Sequence, residues 1–207
     1  MTLYRQREKF NKLSIKIGVI CSKVPLSANQ WTLVSLIPAI IAVYFLVKEQ
    51  FLAAAILFFI SAAIDLVDGS VARVTGTVSK FGAYLDTIVD RYVEGMIVFG
   101  LLFASLPEFF IPAYAWIFLY FFGSLMTTYA KASAKEKELV IEGKELKGGI
   151  LERAERLIIL FVGILLAVIN PLYLVFVLII LAVLSNITAL QRILLAKKFA
   201  DKSREKH

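Results

Sequence analysis

Four aspartates, Asp65, Asp68, Asp86 and Asp90, stand in or beside runs of sequence otherwise apolar enough to be membrane helix. An aspartate at the centre of a membrane helix costs about 2.5–3.5 kcal/mol on insertion scales, so four unpaired ones would cost on the order of 10 kcal/mol. That is comparable to the whole stability of a small domain. Their spacing gives them a use. At about 100° per residue, Asp65, Asp68, Gly69 and Ala72 fall within an arc of about 100° on one helix. Gly82, Asp86 and Asp90 form a row at i, i+4 and i+8 on the next. The intervening "RVTGTVSKF" is short, so the two helices are expected to be antiparallel neighbours. Four carboxylates then converge on one polar cavity, and Gly69, Ala72 and Gly82 leave room beside them. So many carboxylates cannot all stay ionised unless cations are present. Hard oxygen donors suit Mg²⁺, Mn²⁺ or Ca²⁺. With one cysteine, Cys21, and one histidine, His207, the chain offers no Cys/His zinc site. The pattern points to two divalent ions holding a phosphate-bearing substrate for in-line phosphoryl transfer. Arg73 is placed beside the acids to meet a phosphate oxygen.

The elements that must carry these residues are membrane helices. The chain has 207 residues, 59% hydrophobic and only 19% charged, with a mean hydropathy of +0.79, a balance far from that of a soluble domain. A lone cysteine excludes an internal disulfide framework. The N-terminal segment carries its charges too far to be a secretory leader, and none is expected. The net charge of +7 does not point to nucleic acid, because the basic residues flank apolar spans instead of forming one soluble face.

Runs of about 17–25 apolar residues are what a membrane helix requires. Six are expected, over about 31–47, 51–72, 82–105, 110–133, 151–169 and 171–194. Residues 1–23 differ: Phe10, Leu13, Ile17, Val19 and Ile20 gather on one side of a helix, with Arg7, Lys9, Lys12 and Lys16 elsewhere. This predicts a basic amphipathic helix on the membrane surface. The expected fold is therefore an all-α integral membrane protein, six transmembrane helices plus that surface helix. It divides into a juxtamembrane helix (1–23), a six-helix catalytic domain (24–196) and a basic tail (197–207). With six spans, all lysines and arginines except Lys48 lie on one side, which predicts that both termini and the aspartates face the cytoplasm.

The stretch from Asp65 to Asp90 resembles the signature of the CDP-alcohol phosphotransferase family, D-x2-D-G-x2-A-R-x8-G-x3-D-x3-D. Asp65, Asp68, Gly69, Ala72, Arg73, Gly82, Asp86 and Asp90 occupy its fixed positions at the family spacing. The signature covers 26 residues, and the expected helix layout suits the family over most of the chain. The resemblance implies a membrane enzyme of phospholipid biosynthesis in which an acceptor hydroxyl displaces CMP from a CDP-linked donor. Asp65, Asp68, Asp86 and Asp90 would hold two Mg²⁺ ions, with Mn²⁺ an alternative, and Asp90 would also be the general base. Gly69, Ala72, Arg73 and Gly82 would contact the CDP moiety. The family is usually dimeric, so a homodimer surrounded by membrane lipid is expected.

The acceptor is read from the basic residues of the second half. Lys131 and Lys135 stand one helical turn apart with Ser133 between them. Arg153 and Arg156 open the fifth span after "GG", and Arg192 ends the sixth. Such a cluster suits an anionic headgroup, although positive-inside topology and anionic lipid also account for it. "ERAERL" resembles, more weakly, the inositol-phosphate-using branch of the family, which implies inositol phosphate as acceptor and CDP-diacylglycerol or CDP-archaeol as donor. The alternatives are CDP-inositol with a soluble inositol phosphate, and glycerol 3-phosphate as acceptor. Two other classes are an aspartate-rich prenyltransferase, which wants a second acidic motif on a remote helix, and a cation carrier. A carrier wants acids reaching toward the other membrane face, and only Glu94 continues the row.

Overall fold

The structure, a computed structural model, describes residues 14–139 and 149–204, with the side chains of 202–204 excepted. The described residues form helices and connections. The nearest approach to sheet among them is one isolated bridge between Phe109 and Ile111. The chain divides into two compact units, Met1–Gly100 and Leu101–His207.

The first unit opens with α1 over residues 14–21. The remainder of the expected surface helix, residues 1–13, lies outside the described residues. Next come α2 (Ala28–Val34), α3 (Leu36–Val47), α4 (Phe51–Thr75) and α5 (Lys80–Leu102). Ser27 starts α2 through a capping box: the Gln30 amide donates to Ser27 Oγ, and the Ser27 amide donates to Gln30 Oε1 at 2.8 Å. The first expected span, 31–47, is thus two helices. Pro38 explains the break, since it has no N–H for the Val34 carbonyl and its ring presses on that carbonyl. Backbone loosened this way needs other partners in an apolar setting. Ser61 of α4 donates to the Ser35 carbonyl at 2.8 Å, and Ser35 Oγ donates to the Thr32 carbonyl at 2.7 Å. Helix α4 ends at Gly76, whose φ of +69° is the left-handed cap that glycine supplies. Ser79 then starts α5 by accepting the Gly82 amide at 2.9 Å.

In the second unit, α6 (Ala113–Glu136) and α7 (Arg153–Ala167) both pack on α8 (Pro171–Arg204). Asn170 caps α8 by accepting the Leu172 amide, and Pro171 occupies the first turn, where a missing N–H costs nothing. Close approach of α6 to α8 depends on Gly123. A Cβ there would lie 2.9 Å from the Asn186 backbone nitrogen. Asn186 crosses this contact to donate to the Leu119 carbonyl at 2.9 Å. Helix α8 runs ten residues beyond the expected end at 194, because "LAKKFADKSR" holds no proline or glycine to stop it.

Large apolar side chains cover the outside. Helix α8 exposes Tyr173, Phe176, Ile180, Val183, Ile187 and Leu190 in one stripe, and α4 exposes Leu52, Ile56, Phe59 and Ile60. Apolar exposure on this scale is what lipid contact requires. Among the described residues, three stretches are long and apolar enough to cross a membrane: Ala28–Val47, Phe51–Thr75 and Pro171–Asp201. The other expected spans are shorter or more polar than these, each for an identifiable reason. Helix α5 carries Asp86, Asp90, Arg91 and Glu94. Helix α6 mixes its apolar residues with Tyr, Trp, Ser and Thr. Helix α7, at 15 residues, reaches only about 22 Å against a hydrocarbon core of about 30 Å.

Candidate active site

The site lies in the first unit, where the polar end of α4 meets the start of α5. Asp65, Asp68 and Asp86 each bring one carboxylate oxygen into a set whose members all lie within 4.8 Å of one another. The first two come from one face of α4 at i, i+3, and the third from the first turns of α5. Ionised carboxylates at that distance repel by about 3 kcal/mol per pair at an effective dielectric near 20. A divalent cation removes that repulsion. Two oxygens on opposite sides of one Mg²⁺ stand about 4 Å apart, so this cluster has the donor type and the span for such an ion.

Asp68 is the best-held member, with 7% of its surface exposed. Thr32 of α2 donates its hydroxyl to Oδ2, and the Gly69 amide donates to Oδ1. Thr32 is itself 2% exposed, so this bond is made out of water. Asp90 is not in the three-oxygen set. It sits one turn deeper along α5 and is 7% exposed. Glu94, one turn further still, is fully buried and receives Arg91 at 2.8 Å.

Beside the acids opens a cavity of about 340 Å³, a size typical of small-molecule sites. Asp68 and Asp86 form part of its wall, and Gly69, Ala72, Arg73 and Gly82 all line it. The glycines keep it open: a Cβ at Gly69 would lie 3.4 Å from Arg73 Nη1, and one at Gly82 would lie 3.2 Å from Asn29 Oδ1. The lining also includes Asn29 and Thr32 of α2 and the loop residues Thr77 to Ser79, which sequence reasoning did not single out. The available signal was polar residues crowding the first turns of an apolar span, in "SANQWT".

The basic residues expected to bind an acceptor belong to the second unit. Lys131 and Lys135 are exposed near the end of α6, with Ser133 half-buried between them. Arg153 is half-buried in the first turn of α7. Arg156 is 1% exposed and donates through Nη1 to the Leu151 carbonyl at 3.2 Å. Arg192 donates through Nη1 to the Thr127 carbonyl at 2.6 Å, tying α8 to α6. The last two therefore anchor backbone within this unit. The polar stretch between Glu138 and Gly149 lies, over 140–148, outside the described residues.

The sequence model of the CDP-alcohol phosphatidyltransferase family matches residues 26–200. An archaetidylinositol phosphate synthase of Pyrococcus horikoshii is 37% identical over 198 residues, covering 95% of this chain and 97% of its own. Among solved structures, the phosphatidylinositol phosphate synthase of Mycobacterium tuberculosis with CDP-DAG bound superposes with a TM-score of 0.78 at 27% identity, over 89% of this chain and 94% of the other. The same enzyme in complex with manganese and citrate gives a TM-score of 0.77 at 27% identity, over 88% of each chain.

Proposed function

Because the chain belongs to the CDP-alcohol phosphatidyltransferase family, we propose that it joins a CDP-linked lipid, CDP-diacylglycerol or CDP-archaeol, to a hydroxyl of inositol phosphate and releases CMP. The observation that carries this reading is the three-carboxylate cluster opening directly onto a cavity lined by Gly69, Ala72, Arg73 and Gly82. The relatives named as inositol-phosphate-lipid synthases support the choice of acceptor. Family membership leaves no place for a prenyltransferase or a cation carrier.

Asp65, Asp68, Asp86 and Asp90 would hold two divalent ions, Mg²⁺ or Mn²⁺. Bound metal neutralises the diphosphate and improves CMP as a leaving group. The cavity takes the CDP moiety, its glycines admit the diphosphate close to backbone, and Arg73 pairs with a phosphate oxygen. Asp90 takes the proton of the attacking hydroxyl. The acceptor oxygen bonds to the phosphorus that carries the lipid alcohol, and the bond from that phosphorus to the CMP oxygen breaks. Lys131, Ser133, Lys135, Arg153, Arg156 and Arg192 receive the acceptor's phosphate, the last two while also holding the Leu151 and Thr127 carbonyls. The chain spans the membrane six times with the site and both termini in the cytoplasm, and the enzyme works as a homodimer. A CMP-release assay crossing both lipid donors and CDP-inositol against inositol phosphate and glycerol 3-phosphate tests the assignment. CMP appearing only with a lipid donor and inositol phosphate supports it, and any other pairing replaces it.

A further inference from the structure

Arg73 is the one cation lining the cavity among the described residues, and a flexible, largely exposed arginine loses rotamer freedom on meeting a ligand. The structure shows what restrains it. Arg73 Nη2 donates to Ser14 Oγ of α1 at 2.7 Å, and Ser14 Oγ lies 2.8 Å from Ser70 Oγ of α4. Ser70 Oγ in turn donates to the Leu66 carbonyl at 2.9 Å. A hydroxyl has one proton to give. With Ser70 donating to Leu66, Ser14 donates to Ser70 while accepting from Arg73, which gives a chain from Arg73 through Ser14 and Ser70 to the Leu66 carbonyl. Each link polarises the next. Without Ser14, Arg73 keeps only a 3.4 Å approach to Ser70.

Delivery of Ser14 depends on a close contact one turn further along α1. Gly18 is buried against α4, and a Cβ there would stand 2.5 Å from the Ser70 carbonyl oxygen and 2.7 Å from Val74 Cγ2. Only glycine lets the two backbones approach this closely.

From this we infer that Ser14 is a positioning residue for the proposed reaction: α1 docks on α4 through Gly18 and uses Ser14 to hold the Arg73 guanidinium at the cavity wall, ready for the donor's diphosphate. The inference rests on the CDP-donor reading of the cavity. It makes α1 part of the donor site, although none of its described residues lines the cavity.

The test uses the purified full-length chain with Mn²⁺ and whichever of CDP-diacylglycerol or CDP-archaeol the wild type turns over faster. Ser14→Ala raises the donor KM about three- to tenfold, the range of one ordinary solvent-exposed hydrogen bond, and leaves the acceptor KM unchanged. Ser14→Thr, which keeps the hydroxyl, restores it. In an Arg73→Ala background Ser14→Ala adds nothing, because its whole effect passes through Arg73. An unchanged donor KM, or effects that add in the double variant, overturns the positioning role while leaving the reaction assigned. If Ser14→Ala melts early, Ser70→Ala must reproduce the donor KM rise, and its failure to do so overturns the role equally. A wild type that releases no CMP from either donor overturns the reaction, and the role of Ser14 with it.

Discussion

Replacing Thr32 with valine removes one oxygen and keeps the branched shape, so the packing of α2 against α4 is preserved while the hydrogen bond to Asp68 Oδ2 is lost. Thr32 is 2% and Asp68 7% exposed, so water does not replace the missing donor. A buried hydrogen bond to a charged group is worth about 1.5–3 kcal/mol. Asp68 then keeps the Gly69 amide on its other oxygen but is no longer fixed in rotation. At about 1.4 kcal/mol per tenfold, the apparent affinity for the divalent ion falls about ten- to a hundredfold, the range seen when partners of metal ligands are removed. The assay is the Mn²⁺ concentration giving half-maximal CMP release, checked against Mn²⁺-induced thermal stabilisation, which needs no turnover. Thr32→Ser, which retains the hydroxyl, should stay near wild type. A Thr32→Val enzyme with unchanged Mn²⁺ dependence in both readouts would refute the reasoning that Thr32 orients a metal-binding carboxylate.

Asp65→Asn removes one charge from the three-oxygen cluster. In chelator it should raise the melting temperature by relieving about 3 kcal/mol of repulsion per ionised pair, and with Mn²⁺ it should lose most of the metal-induced stabilisation. A variant that melts earlier than wild type in chelator contradicts the cluster's repulsive character. Arg153→Ala should raise the acceptor KM by about tenfold or more and leave the donor KM within about twofold, as expected for a lost phosphate contact. Equal effects on both substrates would make Arg153 a structural or lipid-facing residue.

The acidic cluster was legible because helical periodicity converts spacing into direction. Asp65 and Asp68 at i, i+3 had to share a face, and a short connection kept Asp86, near the start of α5, within reach of them. Periodicity also placed Asp86 and Asp90 in one row, but a row says nothing of depth. Four residues of rise, about 6 Å, separate half-buried Asp86, which joins the cluster, from buried Asp90. The break between α2 and α3 was written in Pro38, four residues after Val34, and was obscured by reading for uninterrupted apolarity. The continuation of α8 to Arg204 was missed for the opposite reason. A span was ended where the bilayer should end, whereas a helix ends only where the backbone is given a reason to stop. The pairings of Thr32 and Ser14 were illegible, because their partners lie 36 and 59 residues away. Only packing decides which of many serines and threonines meets a given side chain.

The most direct measurement of the central claim is CMP release by the purified protein supplied with Mg²⁺, a CDP-linked lipid and inositol phosphate. It is run beside Asp90→Asn, which exchanges one oxygen for nitrogen at a buried position. The account predicts that the wild type forms CMP and a phosphodiester lipid one for one, and that a folded Asp90→Asn protein forms neither. Turnover undiminished in Asp90→Asn, or a wild type that releases CMP without making the lipid product, would contradict it.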